Sequence, residues 1–157
     1  MSVKPIPEGY HTATPCLITK GAAKAIEFYQ KAFGAEELMR FADPDGNVAH
    51  AEIKIGDSRI MLGDEFPQMG FRGPDPQGNV STSLVLYVEN VDVLFDRAVR
   101  AGGKVMRPVQ DQFYGDRTGT LRDPFGHVWT LATHKEDLTV EELHRRSEAA
   151  MKKTGNA

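Results

Sequence analysis

The sequence repeats one order of predicted elements, and this duplication constrains the fold more than any single motif does. In each half, a short apolar strand is followed by an amphipathic helix, a glycine and three further strand candidates. Matching residues of the two halves lie at a nearly constant separation: 69 positions from Leu17 to Leu86, and 70 from Gly56 to Gly126. The repeat therefore predicts two tandem β-α-β-β-β modules that pack together around a cavity.

The first module is predicted over residues 11–63. A strand over 14–19 is followed by a helix, because apolar residues recur there on one face (Ala22, Ile26, Tyr29 and Phe33) and Gly34 can end it. The three strand candidates are Glu37–Ala42, Val48–Ile55 and Ser58–Leu62. The first two are joined by Asp43-Pro44-Asp45-Gly46, a sequence typical of a tight turn.

The second module is predicted over residues 81–134. It contains a strand at Ser83–Val88, a helix capped by Asn90, and strands at Lys104–Pro108, Gly115–Arg122 and His127–Thr133. The linker at 64–80 is rich in glycine and proline, and it is long enough to form a lid or to exchange modules between subunits. Thr139 and Glu142 form a capping-box pattern, which predicts a C-terminal helix at 139–153.

The composition narrows the class of protein. Hydrophobic residues make up 40% and charged residues 26%, as in a folded globular chain. A net charge of -3 with scattered basic residues gives no basis for binding nucleic acid or an anionic membrane. The single cysteine excludes an internal disulfide framework, and no apolar run is long enough to span a membrane. We expect one α+β domain over 1–157, located in the cytoplasm.

Several stretches resemble the vicinal oxygen chelate superfamily, which includes glyoxalases, bleomycin-resistance proteins and extradiol dioxygenases. They are AIEFYQKAFGAE, HAEIKIGDSRIMLGDE and YGDRTGTLRDPFGHVWTLATHKEDLT, and they are most similar to the PhnB-like branch. The resemblance implies a glyoxalase-like fold, in which the two modules form a curved mixed sheet around a cavity. It also implies a small-molecule ligand and a homodimer.

Metalloenzymes of this superfamily take His, Gln or Glu ligands from the first and last strands of each module. The resemblance places the corresponding positions here at Thr14, Met61, Ser83 and Thr130. Hydroxyl and thioether groups do not replace imidazole and carboxylate ligands for a divalent ion. The sequence therefore predicts no metal and no cofactor at the usual site.

His50 and Glu52 are the candidate catalytic residues. They alternate with apolar Ala51 and Ile53, so both side chains are expected on one face of a strand. A histidine beside a carboxylate can act as a general base, or can supply two ligands to a divalent metal at an unconventional position. The alternative is a solvated polar face with a modest ion pair.

Further residues are predicted to line the cavity and bind a ligand. Arg117 is a candidate for binding a carboxylate or phosphate group, with Tyr114 beside it, although Asp116 and Arg117 could instead hold the hairpin together. The complete set of ligand-binding candidates is Cys16, Arg59, Met61, Ser83, Tyr87, Tyr114, Asp116, Arg117 and Thr130.

Two functions from different classes are compatible with these residues. The first is a small-molecule-binding protein of the bleomycin-resistance kind without the usual metal. The second is a lyase or isomerase that uses His50 and Glu52, with or without a displaced divalent metal. The sequence names neither the ligand nor a substrate, and it leaves open whether the chain is an enzyme.

Overall fold

A computed structural model describes residues 3–154, and the first two and last three residues of the predicted domain lie outside that range. Three α-helices and eight strands form within it. The helices are α1 (Ala22–Phe33), α2 (Val91–Arg100) and α3 (Val140–Thr154). The strands are β1 (Cys16–Thr19), β2 (Glu36–Ala42), β3 (Val48–Ile55), β4 (Ser58–Asp64), β5 (Ser83–Tyr87), β6 (Lys104–Asp111), β7 (Asp116–Arg122) and β8 (Val128–His134).

Each module of this range contributes one four-stranded mixed sheet. The strand order is β1-β4-β3-β2 in the first sheet and β5-β8-β7-β6 in the second. In both sheets the first strand of the module runs parallel to its last strand, and the remaining neighbours are antiparallel. The predicted α+β fold of two β-α-β-β-β modules with a C-terminal helix is therefore confirmed.

The two modules share one hydrophobic core. The aromatic residues Tyr29 and Phe33 of α1 pack against Trp129 of β8, with ring centroids 5.2 and 4.9 Å apart. Trp129 and Tyr29 are fully buried, and each large aromatic side chain removes roughly 150–250 Å² from water. Helix α1 of the first module thus covers the sheet of the second, so neither module buries its core alone.

Asp123 fixes this contact between modules with hydrogen bonds. Its Oδ2 atom accepts hydrogen bonds from the Tyr29 hydroxyl at 2.8 Å and from the Trp129 indole at 2.9 Å. Its Oδ1 atom accepts from the backbone amides of Phe125 and His127. A carboxylate this deeply buried is tolerated because four donors satisfy it.

The helix ends agree with their sequence signals. Gly34 ends α1 with φ of 69°, a left-handed conformation that glycine adopts without strain. The Asn90 side chain accepts a hydrogen bond from the amide of Val93 at the start of α2. At the start of α3, the Thr139 hydroxyl accepts from the amide of Glu142 at 3.2 Å.

The start of α1 is capped by a residue distant in sequence. Asp64, at the end of β4, accepts hydrogen bonds from the amides of Gly21 and Ala22, both at 2.8 Å to Oδ1. Its Oδ2 atom accepts from the amide of Val48 at 2.7 Å. One carboxylate therefore joins β4, β3 and the amino end of α1, where negative charge is favoured.

Strand β6 is longer than its predicted range, which ended at Pro108. The strand continues to Asp111 because it lies at the edge of its sheet, where the amide that proline lacks is not needed. The pairing with β7 also shifts register between Arg107 and Gln110, around Pro108. The linker is partly ordered as well: residues Pro67–Met69 form a 3₁₀ turn.

Candidate functional site

We call the face of each sheet that lies away from the helices the open face. It carries most of the candidate residues. In the first sheet, Met39, Glu52, Met61 and Cys16 follow one another across β2, β3, β4 and β1 in register. Two residues further along the strands, and therefore on the same face, Phe41 lies opposite His50 and Ile18 lies opposite Gly63. The strand pairing therefore places His50, Glu52, Cys16 and Met61 on one surface, and the shared face of His50 and Glu52 agrees with the alternation seen in the sequence.

Residues 66–71 of the linker form a lid over the end of this surface. Phe66 and Phe71 pair with each other through two backbone hydrogen bonds of 2.9 and 3.1 Å. Glu65 secures both ends of the lid, because its amide donates to Thr19 and its carboxylate accepts from the amide of Gly73 at 2.9 Å. The lid is thus a short closed loop attached to β1.

A pocket of about 290 Å³ lies between the lid and the open face, and we call it the lid pocket. Its floor contains Cys16, Ile18 and Gly63, His50 forms one side, and Phe66, Met69 and Phe71 cover it. Gly63 has no space for a side chain, since a Cβ atom there would lie 2.9 Å from the carbonyl oxygen of Ala49. The result is a mostly apolar site with few hydrogen-bonding side chains.

Larger recesses of about 740 Å³ lie at the start of α1 and beside α2. Exposed lysine, aspartate and asparagine side chains line much of the first, and Asp57, Glu89 and Arg97 line part of the second. A small ligand is held by concave apolar walls with a few polar groups, which describes the lid pocket better.

Glu52 is the centre of a hydrogen-bonded cluster beside the lid pocket. It accepts a hydrogen bond from the Tyr10 hydroxyl, and its carboxylate lies 3.4 Å from His50 Nε2 and 3.6 Å from Arg59 Nη1. The guanidinium of Arg59 also lies over the Tyr10 ring, 4.7 Å from its centroid. The hydrogen bond from the Tyr10 hydroxyl lowers the pKa of the Glu52 carboxyl more than any other contact does, so Glu52 stays ionised.

This cluster offers few donors to a metal ion. His50 and Glu52 supply two donors, but the Arg59 guanidinium already neutralises the carboxylate that a divalent cation would need. No group of three His, Cys, Asp or Glu side chains suited to a metal ion occurs in the described part of the chain.

The second module brings Tyr87, Asp116 and His134 together on its open face. Asp116 Oδ2 accepts from the Tyr87 hydroxyl at 2.7 Å, and Asp116 Oδ1 lies 2.7 Å from His134 Nδ1. The other ring nitrogen of His134 lies 3.0 Å from Asp137 Oδ1. The hydrogen bond to Asp116, followed by that to Asp137, raises the pKa of His134.

Arg117 lies on the opposite side of the sheet from Tyr87. Its guanidinium binds Asp92 of α2 through two hydrogen bonds of 2.7 and 2.8 Å, and it binds Asp111 of β6 at 3.1 Å. Successive residues of a strand face opposite sides, so Asp116 and Arg117 cannot both face the cavity. The interpretation in which Arg117 holds local structure agrees with these contacts, whereas its proposed role on a ligand anion does not.

The remaining candidates are spread over the open face without joining the lid pocket. Thr130 exchanges a hydrogen bond of 3.0 Å with Thr120. Ser83 is exposed and pairs with Val128. Tyr114 is exposed in the turn before β7, with its ring against Phe113 at 5.3 Å. In register, Met61 lies opposite Cys16 rather than Thr14, and Thr130 lies opposite Val85 rather than Ser83.

The family model described as the Glyoxalase/Bleomycin resistance protein/Dioxygenase superfamily matches residues 10–131. The chain belongs to this superfamily. A curated relative, the uncharacterized protein Rv0887c of Mycobacterium tuberculosis, is 40% identical over 146 residues, which cover 91% of this chain and 84% of the relative.

Solved structures show the same fold. TioX from Micromonospora sp. ML1 has a TM-score of 0.62 and 24% sequence identity, and the match covers 82% of this chain and all of TioX (100%). The PhnB protein from Bacillus cereus also has a TM-score of 0.62, with 20% identity, 78% of this chain and 99% of that protein covered. Both structures share the fold that the sequence predicted.

Several site residues were not among the sequence candidates. The lid residues Phe66, Met69 and Phe71 lie in an irregular linker, whose loop pairing the sequence does not reveal. Tyr10 precedes the first strand and reaches Glu52 only through folding. His134 could have been found, because it continues the alternation of Thr130 and Ala132 along β8.

Proposed function

We propose that this chain binds a small, mostly apolar molecule in the lid pocket without using a metal ion. The observation that carries the proposal is the mostly apolar pocket of about 290 Å³ that lies between the open face and the lid. Phe66, Met69 and Phe71 remain 42%, 68% and 51% exposed, and together they form an apolar patch of the kind that marks a binding site. A bound ligand would cover them.

The pocket walls indicate the chemistry of the ligand. Ile18 and Gly63 form a flat apolar floor, and the two lid phenylalanines lie over it, which suits a planar or aromatic molecule. His50 is the polar side chain at the side of the pocket, so the ligand should carry one hydrogen-bonding group directed toward it.

The metal-free part of the proposal rests on the available donors. The positions of the superfamily's metal ligands hold Met61 and Thr130, which pair in register with Cys16 and Val85, while Thr14 and Ser83 lie two residues before these. The carboxylate of the His50–Glu52 pair is neutralised by Arg59. These residues favour binding over metal-dependent chemistry. The proposal includes a homodimer, since Val85, Val105 and Met106 are large apolar side chains that are 45% to 54% exposed.

Binding can be tested with the fluorescent probe 1-anilinonaphthalene-8-sulfonate. We expect saturable binding that the Phe66→Asp variant weakens at least about tenfold, because a charge in an apolar lid costs roughly 1.4 kcal/mol or more. Val93→Asp is the matched control, since Val93 is an exposed residue of α2 away from the lid. Equal affinity of wild type and Phe66→Asp would overturn the lid pocket as the site.

Metal content is measured on protein purified without chelator. We expect far less than one divalent ion per chain by elemental analysis. Stoichiometric metal that disappears in the His50→Ala variant would overturn the metal-free proposal and would show a displaced site at His50.

The Glu52 cluster supports a second candidate function, an acid–base lyase or isomerase. Glu52 holds His50 in position, and His50 also faces the lid pocket, so its imidazole could remove and return a proton. Deuterium incorporation from D₂O into the α-carbon of phenylacetone tests this chemistry. Incorporation that His50→Ala and Glu52→Gln abolish would favour the enzyme; binding of the ketone without incorporation would favour the binding protein.

A further inference from the structure

The second module contains a separate polar cluster, formed by Tyr87, Asp116 and His134. These residues come from three neighbouring strands, β5, β7 and β8, and all lie on the open face. Asp116 and His134 are direct partners in the register of β7 and β8. Tyr87 lies opposite Ala132, whose small side chain allows the tyrosine to cross β8 and reach Asp116.

The two nitrogens of His134 have different surroundings. Nδ1 faces Asp116, whose side chain is only 7% exposed, and Nε2 faces Asp137, whose side chain is fully exposed. Because both partners are carboxylates, both nitrogens donate, and the imidazole is held in its charged form. The contact of His134 with Asp116 is partly buried and belongs to the fold. The contact with Asp137 is an exposed ion pair, which breaks at little cost in free energy.

Exposed aromatic side chains lie on the elements next to His134. The turn at 112–115 is fixed beside His134, because the amides of Lys135 and Glu136 donate to the carbonyl of Gly115 at 2.9 and 3.0 Å. This turn presents Phe113 and Tyr114, which are 43% and 40% exposed, and Tyr87 is 66% exposed. Tyr87 and His134 both contact the carboxylate of Asp116, so the Tyr87 side chain lies next to the imidazole.

We propose that His134 Nε2 and the aromatic side chains around it bind a small aromatic oxyanion, and that Asp137 occupies this position as an internal competitor. The ligand class is an aromatic carboxylate or phenolate. Asp137 already shows how a carboxylate oxygen meets this nitrogen, at 3.0 Å. The anionic group of the ligand replaces the Asp137 carboxylate beside Nε2, so the number of negative charges in contact with His134 does not change.

The aromatic ring gives the ligand an advantage over Asp137. Packing a ring against Tyr87 and Tyr114 removes apolar surface from water, a gain that the short aspartate side chain cannot have. An aliphatic anion such as acetate lacks this contact and should bind far more weakly. This site lies in the second module and does not depend on the lid pocket being occupied.

Benzoate is the probe, titrated by calorimetry at about pH 6, where His134 is protonated. We expect the Asp137→Asn variant to bind benzoate about fivefold more tightly than wild type, because the competing exposed ion pair is removed. The His134→Gln variant should lose the binding. His144→Gln is the matched control, since His144 is an exposed histidine of α3, and it should bind as wild type does.

Three results would overturn the proposal. The first is equal benzoate affinity in wild type and Asp137→Asn, which needs no disruption of the fold because Asp137 is on the surface. The second is acetate binding as tightly as benzoate. The third is benzoate binding that Phe66→Asp abolishes and Asp137→Asn leaves unchanged, which would place the anion in the lid pocket.

Discussion

The Nδ1 atom of His134 lies 2.7 Å from the Oδ1 atom of Asp116, on the open face of the second module. Asp116 also accepts the Tyr87 hydroxyl, just as Glu52 in the first module accepts the Tyr10 hydroxyl and lies near His50. Each module thus has a tyrosine, a carboxylate and a histidine in contact. The 70-residue offset matches Glu52 to Arg122 rather than to Asp116, so the duplication did not copy this arrangement.

Protonation of His134 should make stability depend on pH. Its pKa is raised in the folded protein above the ordinary value of 6.5, first by Asp116 and then by Asp137. The stabilisation is therefore fully present below the unfolded pKa and is lost as pH rises through the folded pKa. In urea unfolding, the free energy of unfolding of the wild type should exceed that of His134→Gln by more near pH 5.5 than near pH 9. These values lie roughly on the two sides of the His134 titration.

His144→Gln serves as the control for that experiment, because it removes an exposed histidine without these carboxylates. A proton NMR titration of His134 gives the pKa directly, and Asp116→Asn should lower it. A His134 pKa at or below that of His144 would contradict the pairing with Asp116.

Replacement of Asp123 should destabilise the contact between modules. Asp123→Ala leaves the Tyr29 hydroxyl and Trp129 indole without their acceptor in a buried site, so we expect a loss of about 3 kcal/mol or more in unfolding free energy. Asp57→Ala, at an exposed turn, should change it by less than about 0.5 kcal/mol. Similar unfolding midpoints for the two variants would show that Asp123 contributes nothing special.

Asp64→Ala should weaken the start of α1. The variant removes three backbone hydrogen bonds, including the only side-chain cap found at this helix start among the described residues, and should cost about 2 kcal/mol. Hydrogen exchange at residues 21–24 should accelerate more than exchange in α2. Uniform acceleration in both helices would indicate global destabilisation instead of loss of the cap.

The proposed homodimer has a direct test. Sedimentation equilibrium should give twice the mass of one chain at micromolar concentration, because dimerisation would remove the exposed apolar side chains of the second module from water. A single-chain mass at every concentration would refute the dimer.

No helix among the described residues is long and apolar enough to cross a membrane.

The sequence alone does not tell on which side of the sheet every residue near a turn lies. For Arg117 the sequence leaves a ligand-binding and a structural role open, and in the structure its guanidinium pairs with Asp92 on the helix side of the sheet. The register at the start of β7 decides its side, and that register depends on pairing with β8.

The sequence by itself determined the duplicated β-α-β-β-β architecture, since residue periodicity and a constant offset are local properties that appear in the chain. The placement of His50 and Glu52 on one strand face followed from alternation in the same way. Only the tertiary structure placed Tyr10 beside Glu52, Asp64 at the start of α1, and Phe66 and Phe71 over Ile18. These contacts join residues far apart in the chain, and loop closure and strand register, which no local pattern encodes, determine which of them meet.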